Sequence, residues 1–309
     1  MNLIKYIPLL LLAVCLQACG DSVVKNKSGA VEPTVQQAVQ PVDRKVNHVL
    51  QVEYPEDLIG DWVGMFEADT AGQTEHADDD DFVSPNKINI SIDEINGNQV
   101  NGHSVVAGNY RLFSGEVEDE EKKFVFTVKE AGDDPYDGKF SFTIHKGDSL
   151  LTGTWKSYKP VKVPLRTYTL SKKFFKYNPS VKLNDFPFVN WDKKSTVAQE
   201  IDGEKFVDTT YYTTTADLYK FNPSRQELDR NKVANMKKPD IYILRNSIFA
   251  KHGFSFKDKQ LRNFFDNQDW YIPVSTNIES ELTALEKKNI SLLMKYEQHA
   301  AEYYDVFGR

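Results

Sequence analysis

Thiols are almost absent from this 309-residue chain: its two cysteines, Cys15 and Cys19, both fall near the N-terminus. No disulfide can staple the segments that follow, and no cysteine nucleophile or thiolate metal site is available there. Stability has to come from ordinary apolar cores, of which a chain this long can build two or three. Long apolar runs are lacking too. The one from Tyr6 to Leu16 falls short of the about 18 residues that a spanning helix needs. No Gly-x-Ser-x-Gly elbow, His-Glu-x-x-His pair or phosphate-binding glycine loop occurs. His48 and His299 have no partners within motif distance. Excess positive charge is missing as well. The formal net charge is −7, with 22 acidic against 12 basic residues over 56–172 and 19 against 21 over 173–309. Nucleic acid is therefore not an expected partner.

The acidic residues bunch in two places. Asp78 to Asp81 lie near Asp69, Glu75 and His76, and Asp133, Asp137 and Gly138 form a second group. Neither has the spacing of a calcium loop: Pro135 takes the third position and Ile144 the twelfth of the second group. Both are expected to be solvated loops. No metal, cofactor or catalytic residue is predicted, although a hydrolase built from scattered acids stays open.

What is present begins with Lys5, the apolar run, and then Leu16, Gln17, Ala18 and Cys19. These four residues resemble the lipobox of bacterial lipoproteins. The resemblance implies a signal peptide over 1–18, cleavage before Cys19, and a lipid on Cys19 that anchors the chain to an envelope membrane, with the outer membrane expected. Residues 19–55 are poor in aromatics and lack a sustained period, which suggests a flexible tether of roughly 30 Å span.

From residue 56 to 172 the pattern is of short alternating strands. Ile88, Ile90 and Ile92 alternate with polar residues and stop at Asn96-Gly97, a strong hairpin signal. Phe124, Phe126 and Val128 alternate in one segment, and Phe140, Phe142 and Ile144 in another. Eight strands are predicted, about 58–67, 87–95, 98–107, 109–118, 122–130, 138–146, 148–157 and 164–172. Eight sequential strands with tight turns predict an up-and-down barrel. Gly60, Asp61 and Trp62 are similar to the Gly-x-Trp signature of lipocalins, and the excursion from Ala68 to Pro85 to their long first loop. This calycin-like resemblance implies that Arg166 stacks over Trp62 as a structural pair. If the four phenylalanines fill the interior from both sides, no room is left there for a ligand.

Residues 173–235 read as a connecting β-containing region, with a hairpin at Asp202-Gly203 between Thr196 to Ile201 and Lys205 to Tyr212. From 236 to 309 the period is helical. Ile241, Leu244 and Ile248 share one face, Leu261, Phe264 and Phe265 a second, and Ile278, Leu282, Leu285, Leu293 and Tyr296 a third. The run Leu244 to Phe254, with Phe256, Leu261, Phe264, Trp270 and Tyr271, resembles the YARHG domain. Phe249 and Lys251 stand where that domain's Tyr-Ala-Arg-His-Gly run has Tyr and Arg. The resemblance implies an extracytoplasmic location and no established activity.

Within this domain Gly253 suits the left-handed position after a helix. His252 is expected to bond the last free carbonyls of that helix, the alternative being binding or catalysis. Arg245 is expected to pair with Asp266 or Asp269, the alternative being an anion site of Arg245, Lys251 and His252. Trp270 and Tyr271 are expected to close the small core, or else to form a sugar platform. The reading as a whole is an α+β multidomain protein: an antiparallel eight-stranded calycin-like β-barrel followed by a small three-helix domain. A non-enzymatic envelope lipoprotein that binds a small ligand, a cell-wall component or a partner protein fits it best. A hydrolase or carbohydrate-active enzyme and a structural spacer are the alternatives.

Overall fold

The computed structural model describes residues 51–69 and 84–304. The signal segment, Cys19, the tether up to residue 50, His48 and the cluster of Glu75, His76 and Asp78 to Asp81 lie outside the described residues, while 51–55, expected to belong to the tether, pack against the barrel.

Eight antiparallel strands close into an up-and-down barrel: β1 (Gly60–Ala68), β2 (Asn86–Asn96), β3 (Gln99–Val106), β4 (Asn109–Asp119), β5 (Lys123–Glu130), β6 (Gly138–His145), β7 (Leu150–Ser157) and β8 (Leu165–Lys173). β1 pairs with both β2 and β8, so no sheet edge is left open. Alternation sets the two faces. Phe124, Phe126 and Val128 on β5, with Phe140, Phe142 and Ile144 on β6, all point inward and are buried. The Phe126 and Phe142 rings stack 4.5 Å apart. The phenylalanines therefore fill the body of the barrel.

One end is plugged. A short 3-10 helix, Pro55–Leu58, folds across it and buries Leu58, while Val52 is tied to the β6–β7 turn through Asp148 and Gly147. Trp62 is fully buried there and donates its indole N–H to the Leu58 carbonyl at 3.1 Å. Its cationic neighbour is Lys172, whose Nζ lies 5.8 Å from the ring centroid and bonds the Asp57 carbonyl. Arg166 does not stack on Trp62. The register pairs Trp62 with Lys172 and Arg166 with Ala68, six residues or roughly 20 Å farther along the strand. In an antiparallel pair the start of β8 faces the end of β1, so Arg166 belongs to the opposite, open end. There its guanidinium carbon sits 5.0 Å over the Phe66 ring.

After the barrel, β9 (Val189–Ile201) and β10 (Glu204–Thr213) form a two-stranded hairpin. Asp202 and Gly203 both have positive φ at its turn, as a two-residue type I′ turn requires. The helices follow: α1 (Arg230–Val233), α2 (Lys238–Lys251), α3 (Lys259–Phe265) and α4 (Ala284–Tyr303). One apolar core joins Leu244, Leu261, Phe265, Tyr271 and Leu293 with Phe188, Leu218, Leu228 and Val233 from upstream of α2. The third helical face predicted from Ile278 onward begins as a helix only at Ala284. Thr283 caps it there, its hydroxyl accepting from the Glu286 N–H while the Glu286 carboxylate accepts from the Thr283 N–H.

The helical domain docks on the open rim of the barrel. The Lys87 N–H donates to the Asp266 carboxylate at 2.8 Å, and the Lys87 ammonium to the carbonyls of Gln268 and Tyr271 at 2.8 and 3.1 Å. Arg262 of α3 bonds Asn86 Oδ1 at 2.9 Å, and the Gly108 N–H bonds Ser255 Oγ at 2.9 Å. Gly108, at φ +74°, lies so close to the Lys257 backbone that a Cβ would overlap it.

Candidate functional site

Two places concentrate chemistry. The first is the end of α2, where the chain stops the helix in a Schellman motif. The Gly253 N–H bonds the Ala250 carbonyl at 2.9 Å and the Phe254 N–H bonds the Phe249 carbonyl at 3.1 Å. Gly253 has φ +73°, and the rings of Phe249 and Phe254 meet edge to face. Backbone groups thus satisfy the carbonyls expected to engage His252, whose ring turns elsewhere. Its Nε2 lies 2.9 Å from Glu286 Oε2, and its face stacks on Tyr177 at 4.1 Å.

Glu286 is the centre of this cluster. It accepts from the Tyr177 hydroxyl at 3.0 Å and from the Thr283 N–H and hydroxyl, each at 3.0 Å. Burial pushes its carboxyl up, but the hydrogen bonds from His252 and the Thr283 N–H outweigh that and hold it down at about 2. Burial, and after it the hydrogen bond to Glu286 and the charge of that carboxylate, raise the Tyr177 hydroxyl to about 12. Glu286 is 0 % and His252 2 % exposed, so no substrate reaches either. The group ties the segment after the barrel, the end of α2 and the start of α4 into one knot.

The neighbouring cations are engaged as well. Arg245 pairs with Glu297 of α4 at 2.8 and 3.2 Å, not with Asp266 or Asp269. A carboxylate does fix it, but one presented by the longer helix that packs along α2. Lys251 is buried and donates to Asn222 Oδ1 at 2.7 Å; burial lowers its ammonium to about 8, against the pull of nearby Glu286. Arg245, Lys251 and His252 therefore point to three different partners and make no common anion site. Tyr271 is buried in the core with its hydroxyl on the Phe254 carbonyl at 2.7 Å, and Trp270 packs half-buried beside it. They form no exposed platform.

The second place is the open end of the barrel. A cavity of about 580 Å³ lies above the filled interior, walled by Phe66, Phe140 and Trp155 and ringed by Arg111, Glu130 and Arg166. These polar residues have the same inward parity as the phenylalanines, but sit at the strand ends. Glu130 is buried and accepts from Ser104 Oγ at 3.1 Å, the Gly138 N–H at 2.7 Å and the Trp155 indole N–H at 3.1 Å. Burial raises its carboxyl, with those hydrogen bonds and Arg111 opposing. Arg111 is matched by Asp137 at 2.9 Å and Asp134 at 3.1 Å. Arg262 reaches the same cavity from α3, so both domains build its wall. Asp133 and its neighbours thus belong to a loop whose Asp134 and Asp137 orient an arginine. Among the described residues, no group of three or more His, Cys, Asp or Glu side chains could hold a metal ion.

Sequence reasoning missed Glu286 and the mouth residues Arg111 and Glu130. Thr283-x-x-Glu286 is a capping-box spacing, and a charged residue in phase with a strand's apolar residues marks an inward-facing end.

The YARHG domain family model matches residues 219–298, so this chain carries a YARHG domain, a type of domain typical of extracytoplasmic proteins. No curated protein and no solved structure matches the chain. No helix among the described residues is long and apolar enough to cross a membrane.

Proposed function

We propose that this is an extracytoplasmic, lipid-anchored binding protein, tethered through Cys19 and without catalytic activity of its own, that holds a small ligand at the open mouth of its barrel. The observation that carries the reading is the cavity of about 580 Å³, in the size range of small-molecule sites, with aromatic walls and a few convergent polar groups. The inaccessible His252–Glu286 pair supports a non-enzymatic role, since the most catalytic-looking group serves to join elements. The YARHG domain supports the compartment, and the lipobox-like run before Cys19 supports the anchor.

Native mass spectrometry of the protein purified from its own host tests the reading. A stoichiometric non-covalent adduct is expected, lost when Phe140 is replaced by Trp to fill the mouth. A bare protein mass, with no binder found in a small-molecule screen of the folded chain, would contradict it.

A further inference from the structure

Four basic side chains and one acidic one line the mouth: Arg111, Arg166, Arg262, Lys162 and Glu130. Most are already accounted for. Arg111 has its two aspartates, Arg262 has Asn86, the Lys257 carbonyl and nearby Asp266, and Glu130 accepts from three donors. Lys162 has a partner as well.

Arg166 differs. It is half-buried, donates to the Phe66 carbonyl at 3.0 Å and lies over the Phe66 ring, yet among the described residues no carboxylate stands within salt-bridge distance. Burial lowers its proton affinity. Taking a guanidinium out of water is costly unless an anion meets it, and its planar fork suits a carboxylate or phosphate in two parallel hydrogen bonds. Among the described residues the mouth thus offers a cationic donor with no carboxylate partner, while Glu130 is already engaged by three donors. The aromatic rings of Phe66, Phe140 and Trp155 line the same cavity as that donor.

We infer that the ligand of the barrel mouth is an anionic amphiphile, with its acid group on Arg166 and its apolar body against Phe66, Phe140 and Trp155. The inference rests on the proposal that the mouth is a ligand site. Because phenylalanines fill the barrel body, the apolar part lies across the mouth and does not thread downward. Either a carboxylate or a phosphate head satisfies the same donor.

The test uses the mature chain with Cys19→Ser, exported behind a cleavable signal peptide, and titration calorimetry with decanoate, decyl phosphate and 1-decanol. At least one of the two anions is expected to bind tenfold or more tightly than the alcohol, and the stronger one identifies the head. Arg166→Met should erase that preference while leaving the chain folded, as its circular dichroism shows, and weak alcohol binding in place. Arg166→Lys should restore part of it. Equal binding of the alcohol and the anions, an unchanged preference in Arg166→Met, or no binding of either anion by folded protein would overturn the inference. A neutral adduct on host-purified protein would overturn it while leaving the ligand site standing, whereas an empty mouth in every assay removes both.

Discussion

Gly253 shows how a single residue's shape decides local structure. At φ +73° it supplies a conformation that other side chains avoid, and a Cβ there would meet Val274 Cγ2 at 2.5 Å and the Ile272 carbonyl at 2.9 Å. Gly253→Val should therefore cost clearly more than the roughly 1 kcal/mol of a typical substitution, read as a drop in the urea midpoint; an unchanged midpoint would remove this residue's structural role. Glu286 gives a pH signature. Its carboxyl is held at about 2 in the folded chain, below its ordinary value near 4.3. The stability it contributes is complete above the ordinary value and is lost as pH falls toward 2. Glu286→Gln should flatten the decline in stability between pH 5 and pH 2.5 relative to the native protein. Equal acid profiles for the two proteins would show that the cluster is not coupled to folding. Gly253 was legible in the sequence because its role is local. His252's partner was not, since Glu286 lies 34 residues away and only the packing of α4 on α2 brings the two together.

At the scale of elements, period-2 alternation predicted all eight barrel strands closely, and Asp202-Gly203 predicted the hairpin. What alternation concealed was the change in chemistry along one face. Phe124, Phe126, Val128 and Glu130 all point inward, yet the first three fill the barrel and the last orients Trp155 at its rim. Arg166 was misplaced for a topological reason, since a residue near the start of β8 meets the end of β1. The start of α4 was placed early because Ile278 and Leu282 continue the apolar spacing, although the cap at Thr283 fixes where helical hydrogen bonding begins. Phe126 lies at the centre of the filled region, stacked on Phe142. Phe126→Ala should destabilise the fold by about 3–5 kcal/mol, measured by chemical denaturation; a loss below about 1 kcal/mol would mean that the interior is not tightly packed.

For the molecule as a whole, the consequential feature is that the YARHG domain sits on the barrel's open rim and lends Arg262 to the cavity. Asp266 at this junction is pushed up to about 6 by burial, against the hydrogen bond from the Lys87 N–H. A carboxyl raised in the folded state contributes stability that is complete below its ordinary value near 3.9 and is lost as pH rises through about 6. The native chain minus Asp266→Asn difference in stability should thus be more favourable to the native chain at pH 4.5 than at pH 7.5. A pH-independent difference would show that Asp266 titrates normally and that the junction is open to water. The proposed lipid anchor is tested separately: Cys19→Ser should abolish palmitate incorporation, and unchanged labelling would exclude a lipid on that residue. Whether the barrel, filled below, takes a ligand only at its mouth is decided by a crystal structure of protein extracted from its own host. Density for a bound molecule is expected between Phe66, Phe140 and Trp155 with one end at Arg166. A ligand deep in the barrel among displaced phenylalanines, or a mouth holding only water, would contradict it.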